Sequence, residues 1–236
     1  MNEPSRDFGY VEHRSLLRSI IAAYDSPIVR AYSFVRFVII NINILHILHL
    51  CMKGKKRVLE IGCGFGLFGC YFALRDPEIQ YHGIDLDEGR IGMAREAASR
   101  LGATNVRFET GDARGALDLE DEYDAILMMD LLHHLPAEGK ASVLEAVTSR
   151  LSADGRLVIK EITRQPRWKL FFTWLLDVLM TGGFDMWYWD PADVRKALGP
   201  EFDLEIYPIA DWLPYPHVVY LLTRSSRDAS REQIVA

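Results

Sequence analysis

The chain has 236 residues, 49% of them hydrophobic, which suits one α/β domain with a full core plus appendages and excludes broad disorder. Its net charge is −6 with a pI near 5.7, and no basic run exceeds Lys53–Arg57, so the electrostatic footprint of a nucleic-acid binder is missing and no nucleic-acid partner is expected. Cys51, Cys63 and Cys70 are odd in number and lack paired metal-ligand spacing, so neither a disulfide framework nor a zinc site is indicated and a reducing cytoplasm is the expected compartment.

Met1 to Tyr10 is polar and shows no basic region leading into an apolar run, so no secretion signal is expected. Residues 1–56 read as an N-terminal helical extension. Inside it Ile28 to Met52 is nearly continuous apolar sequence. Indexed as one helix at about 100° per residue, Arg30, Ser33, Arg36, Asn41, Asn43, His46 and His49 scatter round the whole circumference, so a one-sided amphipathic helix is not expected. A membrane span needs about twenty apolar residues, and the two Asn and two His would be costly near a bilayer centre. Ordinary packing on the sheet, a helix buried over a ligand site, and contact of residues 28–57 with a membrane surface beside Lys53, Lys55, Lys56 and Arg57 remain open.

Residues 58 to 66 read Val-Leu-Glu-Ile-Gly-Cys-Gly-Phe-Gly, an apolar strand that carries an acid and breaks into glycines before a helix starting near Leu67. Such a turn lets backbone amides approach a ligand closely. A literal Gly-x-Gly-x-x-Gly at Gly64, Gly66 and Gly69 would suit a dinucleotide pyrophosphate, and a nicotinamide oxidoreductase is the alternative it raises. Glu60 argues the other way: a phosphate gains nothing from another negative charge, whereas a cationic ligand does. With Glu60, Gly62, Cys63, Gly64 and Gly66 in this order, the segment resembles the first motif of the class I S-adenosylmethionine-dependent methyltransferases, an acid, any residue, then Gly-x-Gly-x-Gly. The resemblance runs over roughly residues 57–162. It implies a doubly wound, seven-stranded, mostly parallel Rossmann-like α/β sheet, S-adenosylmethionine as cofactor, and methyl transfer.

A helix over 66–75 leads to a strand over 80–85 ending at Asp85, about twenty residues past the glycines, where a βαβ unit delivers an acid to ribose hydroxyls; Leu86 follows it. Asp87 caps a helix over 88–101 that Gly102 ends. A strand over 105–109 runs into Gly111-Asp112-Ala113, and the family resemblance puts Asp112 and Ala113 at the edge of the adenine ring. Asp85 and Asp112 also read, one at a time, as helix caps or turn formers. The next strand, 123–129, closes on Asp130 and Leu131-Leu132-His133-His134-Leu135-Pro136, which resembles the family's segment facing cofactor and acceptor and implies cofactor contact for Asp130 and Leu131. A helix over 137–150 and a strand over 155–162 follow, then strands near 203–207 and 218–223, of which the family resemblance implies that the last is antiparallel. The alternation predicts a parallel, doubly wound sheet over residues 57–224, with ligands at the carboxyl ends of its strands, and a frayed tail over 225–236.

Between the last two groups of strands, the insertion 163–201 crowds Trp168, Phe171, Phe172, Trp174, Phe184, Trp187, Tyr188 and Trp189 around Gly182-Gly183. It reads either as an acceptor lid or as core and dimer contact. With the N-terminal extension it points to a small, largely hydrophobic acceptor, lipid-like or aromatic. If the acceptor must lose a proton, His134 is the first candidate base and His133 the second; the other reading is that they only satisfy local backbone groups. Tyr24 resembles an N-terminal aromatic that caps the cofactor in related enzymes and reads equally as a packed helix tyrosine. No metal set is expected, because Glu161-Ile162-Thr163 departs from the Asp-Asn pair of the catechol-type enzymes. A non-catalytic methyltransferase-like binding protein is the third reading.

Overall fold

The computed structural model describes residues 10–113, 122–163, 189, 191–209 and 215–225. In chain order these form α1 (Tyr10–Ala22), α2 (Pro27–Ile39), α3 (Ile42–Met52), β1 (Arg57–Ile61), α4 (Leu67–Arg75), β2 (Gln80–Asp85), α5 (Glu88–Leu101) and β3 (Val106–Thr110). They continue with β4 (Tyr123–Met129), a 3-10 turn at Leu132–His134, α6 (Ala137–Thr148), β5 (Leu151–Ile162), α7 (Pro191–Leu198), β6 (Phe202–Pro208) and β7 (His217–Arg224). The strands make a seven-stranded sheet in the order β3-β2-β1-β4-β5-β7-β6, the doubly wound α/β arrangement that the alternation of elements predicts. The chain divides into two compact units, Met1–Asp112 and Ala113–Ala236.

In the first unit β1 and β2 are parallel, with Glu60 beside Gly83, and β2 and β3 are parallel, with Asp85 beside Thr110. After Arg57 every residue of β1 is buried, the unbroken pattern of a parallel strand covered on both faces. α5 forms where its punctuation says it should: Asp87 accepts from the Arg90 N–H at 3.0 Å, Gly102 leaves in the left-handed region, and Ile91, Ala94, Ala97 and Ala98 form its buried stripe. Arg100 ties this helix to the turn between α1 and α2, donating to the Ala23 carbonyl at 2.7 Å and pairing with Asp25.

The apolar stretch 28–52 is two helices bent by 76°, not one. Ser26 and Pro27 start α2, and Asn41 restarts the chain as the N-cap of α3, its side chain accepting from the Asn43 and Ile44 N–H groups. The break resets the helical phase, so each helix buries a face of its own. Val29, Ser33 and Phe37 bury one face of α2, and Ile44, Leu45, Leu48, Cys51 and Met52 bury one face of α3. No single helix among the described residues is long and apolar enough to cross a membrane.

In the second unit β4 and β5 are parallel, while β7 runs antiparallel to both β5 and β6. β5 starts at Leu151, four residues before the expected position, and its pairing with β4 shifts between Tyr123 and Ala125. Of the insertion 163–201, residues 164–188 lie outside the described part, as do residues 226–236 of the expected tail; Pro191–Leu198 within the insertion is α7. Cys51, Cys63 and Cys70 are free thiols, all buried.

Candidate functional site

The glycine turn after β1 is fastened to the end of β2. Gly62 and Cys63 both donate their N–H to the Ile84 carbonyl, at 2.8 and 3.0 Å, and Gly66 closes the turn on the Cys63 carbonyl at 2.9 Å. Gly62, Gly64 and Gly66 all have positive φ. A Cβ on Gly64 would meet nothing within 4 Å, and its N–H donates to Asp85 Oδ2 at 2.8 Å. A Cβ on Gly66 would lie 2.6 Å from the Phe108 ring, and one on Gly69 2.9 Å from the same ring. Two of the three glycines in the literal Gly-x-Gly-x-x-Gly are thus required by packing on Phe108, so the match carries no argument for a pyrophosphate.

Glu60 points its carboxyl into this end of the first unit and is 1% exposed. Burial raises its pKa to about 7; the Tyr81 hydroxyl, donating to Oε2 at 3.1 Å, and the charge of Arg36 pull against that rise, and the nearby Asp85 adds to it. A buried carboxyl so raised gains from a cationic ligand, which favours its ionised form. Asp85, one strand over, spends Oδ1 on the Asp87 N–H at 3.0 Å and stays only half-buried. Beside it Leu86 is 58% exposed, an apolar side chain left outside the core at the tip of β2. Asp112 is exposed two residues past β3, and Gly111 anchors that segment to the Asp85 carbonyl at 3.0 Å. Ala113 is half-buried at the start of the second unit.

Tyr24 is 2% exposed, and its hydroxyl donates to the Phe65 carbonyl at 2.7 Å. Tyr32 packs edge-on against the Phe65 ring, which Arg90 also covers. The start of the helical extension therefore props the glycine turn through one residue. Glu60, Gly62, Cys63, Gly64, Gly66, Asp85, Leu86 and Tyr24 thus converge on one end of the first unit.

The second unit carries a buried charge cluster at the carboxyl ends of β4 and β5. Asp130 sits at φ 52°, a left-handed conformation uncommon outside glycine, with its N–H on the Lys160 carbonyl at 2.9 Å and its carboxylate on Lys160 Nζ. Lys160 is fully buried. Glu161 Oε1 accepts from the Leu131 and Leu132 N–H groups at 3.1 and 2.7 Å, and Oε2 meets His133 Nδ1 at 2.6 Å. An ionised carboxylate only accepts, so this contact selects the His133 tautomer that carries its proton on Nδ1. The His134 ring is tilted by 46° to that of His133, with 4.1 Å between ring centroids, and is only half-buried. The sequence ranks His134 first; the carboxylate partner belongs to His133. Glu161 is the residue that sequence reasoning missed, although adjacent Lys and Glu inside the apolar run of β5 were the visible signal.

Asp130, His133 and Glu161 also place one ligand atom each within 4.8 Å of the others, a grouping able to hold a metal ion where none was expected. Lys160 and the two backbone N–H groups already meet these carboxylates, so a divalent ion would have to displace the ammonium from Asp130.

Residues 58–155 match a family model described as a methyltransferase domain. The chain is 33% identical over 112 residues to a ubiquinone biosynthesis O-methyltransferase of Aeromonas salmonicida (strain A449), covering 48% of this chain and 45% of that protein. It is 32% identical over 118 residues to the Marinobacter nauticus protein of the same name, covering 49% and 48%. The matched part is thus less than half the length of these relatives. The solved magnesium protoporphyrin IX methyltransferase of Synechocystis PCC 6803 with bound SAH is similar in fold, with a TM-score of 0.63 at 21% identity over 93% of this chain and 98% of that one. The S-adenosylmethionine-dependent methyltransferase SibL in its apo form gives 0.66 at 16% identity, over 93% and 71%.

Proposed function

We propose that this chain, which carries a class I S-adenosylmethionine-dependent methyltransferase domain over residues 58–155, methylates a small, largely hydrophobic acceptor, lipid-like or aromatic, at a hydroxyl. The observation that carries the reading is the buried Glu60, its pKa raised to about 7, on the strand that runs into the open-faced Gly64: such a carboxyl suits a cation, and such a turn a closely approaching ligand, not a phosphate. When bound, S-adenosylmethionine supplies an electron-poor methyl group on a sulfonium. Glu60 would hold its positive end, Gly62 and Gly64 would admit it, and Asp85, Leu86, Asp112 and Ala113 would receive its nucleoside, with Tyr24 bracing the turn. Methyl transfer needs alignment and exclusion of water more than covalent help from protein. The names of the O-methyltransferase relatives support a hydroxyl acceptor.

A hydroxyl must lose a proton as it becomes the nucleophile, and His133 Nε2 is the base this reading assigns. Glu161 is its positioning residue: it fixes the tautomer and stabilises the imidazolium that forms. Glu161→Gln is expected to lower kcat about 10²-fold or more and to move the acid limb of the kcat–pH profile, with the KM for cofactor unchanged. His134→Gln is expected to leave kcat within a few-fold. The reverse ranking would return the role to His134.

The reading itself is tested by incubating the protein with methyl-labelled S-adenosylmethionine and extracts split into lipid, small polar and macromolecular fractions. Label is expected in the lipid or apolar small-molecule fraction. Label confined to protein or nucleic acid would defeat the assignment.

A further inference from the structure

We infer that the outer face of α2 docks on an anionic lipid bilayer. α2 is apolar on both sides. Its inner face holds it to the first unit through Val29, Ser33 and Phe37, while Ile28, Phe34, Val35 and Val38 stand 79%, 60%, 42% and 42% exposed with Ala31 among them. These four are half of the eight large hydrophobic side chains exposed among the described residues, and the spacing Ile28, Ala31, Phe34/Val35, Val38 puts them in one stripe. Folding does not require that stripe.

Charge names the occupant. From Ser26 to Leu59 the chain has six Lys and Arg and no Asp or Glu, although its net charge is −6. Lys53, Lys56 and Arg57 are exposed at the end of α3 and the start of β1, with Lys56 also 3.4 Å from the exposed Glu78; Arg30 lies on α2 itself, donating to the Tyr24 and Ala22 carbonyls. A second copy docked on the same face would bring like charges together. Anionic headgroups complement this run of basic residues, and an acid-free, basic segment that carries an exposed apolar stripe is the pattern of interfacial helices. The helix is 13 residues long, about 20 Å, and bends by 76° into α3, so it lies along an interface and does not span it. This inference does not rest on the proposed methyl transfer.

The test is co-sedimentation of the full chain, without cofactor, on phosphatidylcholine vesicles with and without phosphatidylglycerol. Binding is expected only with phosphatidylglycerol and should fall as salt rises. Phe34→Ser with Val38→Ser should lower the partition coefficient about tenfold or more with an unchanged thermal midpoint; Ile28→Ser, at the most exposed position, is the substitute should that pair not fold. Lys55→Glu with Lys56→Glu should abolish the phosphatidylglycerol dependence. Equal partitioning on both vesicles, no binding, or full binding by the serine variants would overturn the inference. So would a wild-type dimer that the serine variants dissolve, since the face would then belong to a second copy.

Discussion

Glu60→Gln is expected to weaken S-adenosylmethionine binding by about 1.5–3 kcal/mol, roughly 10- to 150-fold, because a charge-assisted contact is replaced by a neutral one. The same substitution should remove a pH dependence. With its pKa raised to about 7 by burial, Glu60 is largely neutral below pH 7 in the free protein, and a cationic ligand favours the ionised form. Wild-type affinity should therefore climb as pH rises through 7 and level off above it, while the Gln variant stays flat across that range. Titration calorimetry at several pH values reads both effects.

Stability should move the opposite way. The folded-state pKa of Glu60 lies above its ordinary value of 4.5, so the folded chain holds a proton that the unfolded chain releases. The resulting stabilisation is complete below about pH 4.5 and is lost as pH rises through about 7, an order of 3 kcal/mol in all. Gln cannot ionise, and the variant should be more stable than the wild type above pH 7 when no cofactor is present. A carboxylate kept for structure would lose stability on this change; one kept for a cationic ligand loses affinity and gains stability. Unchanged affinity at alkaline pH would mean that the pocket does not hold a cation at Glu60.

Legibility in the sequence followed the range of the forces involved. The turn after β1, the acid ending β2 and the caps of α5 are local: a glycine that must take positive φ, or an Asp three residues before the N–H it accepts, announces itself within a few positions. The doubly wound sheet followed from the alternation of elements and the antiparallel β7 from the family resemblance, while the order of the strands was not read in advance. The break at Asn41 was local too, but indexing Ile28 to Met52 as one helix mixed two phases and hid the outward stripe of α2. The His133–Glu161 pair spans 28 positions between two strands, and nothing near His133 distinguishes it from His134. Which histidine meets the carboxylate is decided by the fold. Phe108 is the same kind of case, since its pressure on Gly66 and Gly69 is exerted from β3 across the α4 side of the first unit.

That pressure separates the glycines by role. Gly66→Ala should destabilise the chain by roughly 2–5 kcal/mol, combining the left-handed strain of a Cβ with overpacking against Phe108 at 2.6 Å and Ala94 at 2.8 Å. Against a typical domain stability of about 5–15 kcal/mol this is a large fraction, visible as a drop in Tm. Gly64→Ala meets no neighbour, so it should cost only the strain, about 1–2 kcal/mol, yet it puts a methyl group on the open side of the turn where the cofactor would approach, and binding should suffer more than stability. Gly69 lies inside α4, where Ala is otherwise the better helix former; its substitution is opposed by the ring of Phe108 at 2.9 Å and that of Tyr81 at 3.1 Å. Phe108→Leu should therefore rescue Gly69→Ala in a double-mutant cycle and rescue Gly66→Ala only partly, because the strain at φ 73° persists when the ring is gone. Equal Tm values for Gly64→Ala and Gly66→Ala, or equal rescue at both Gly66 and Gly69, would show that Phe108 does not set the spacing of this turn.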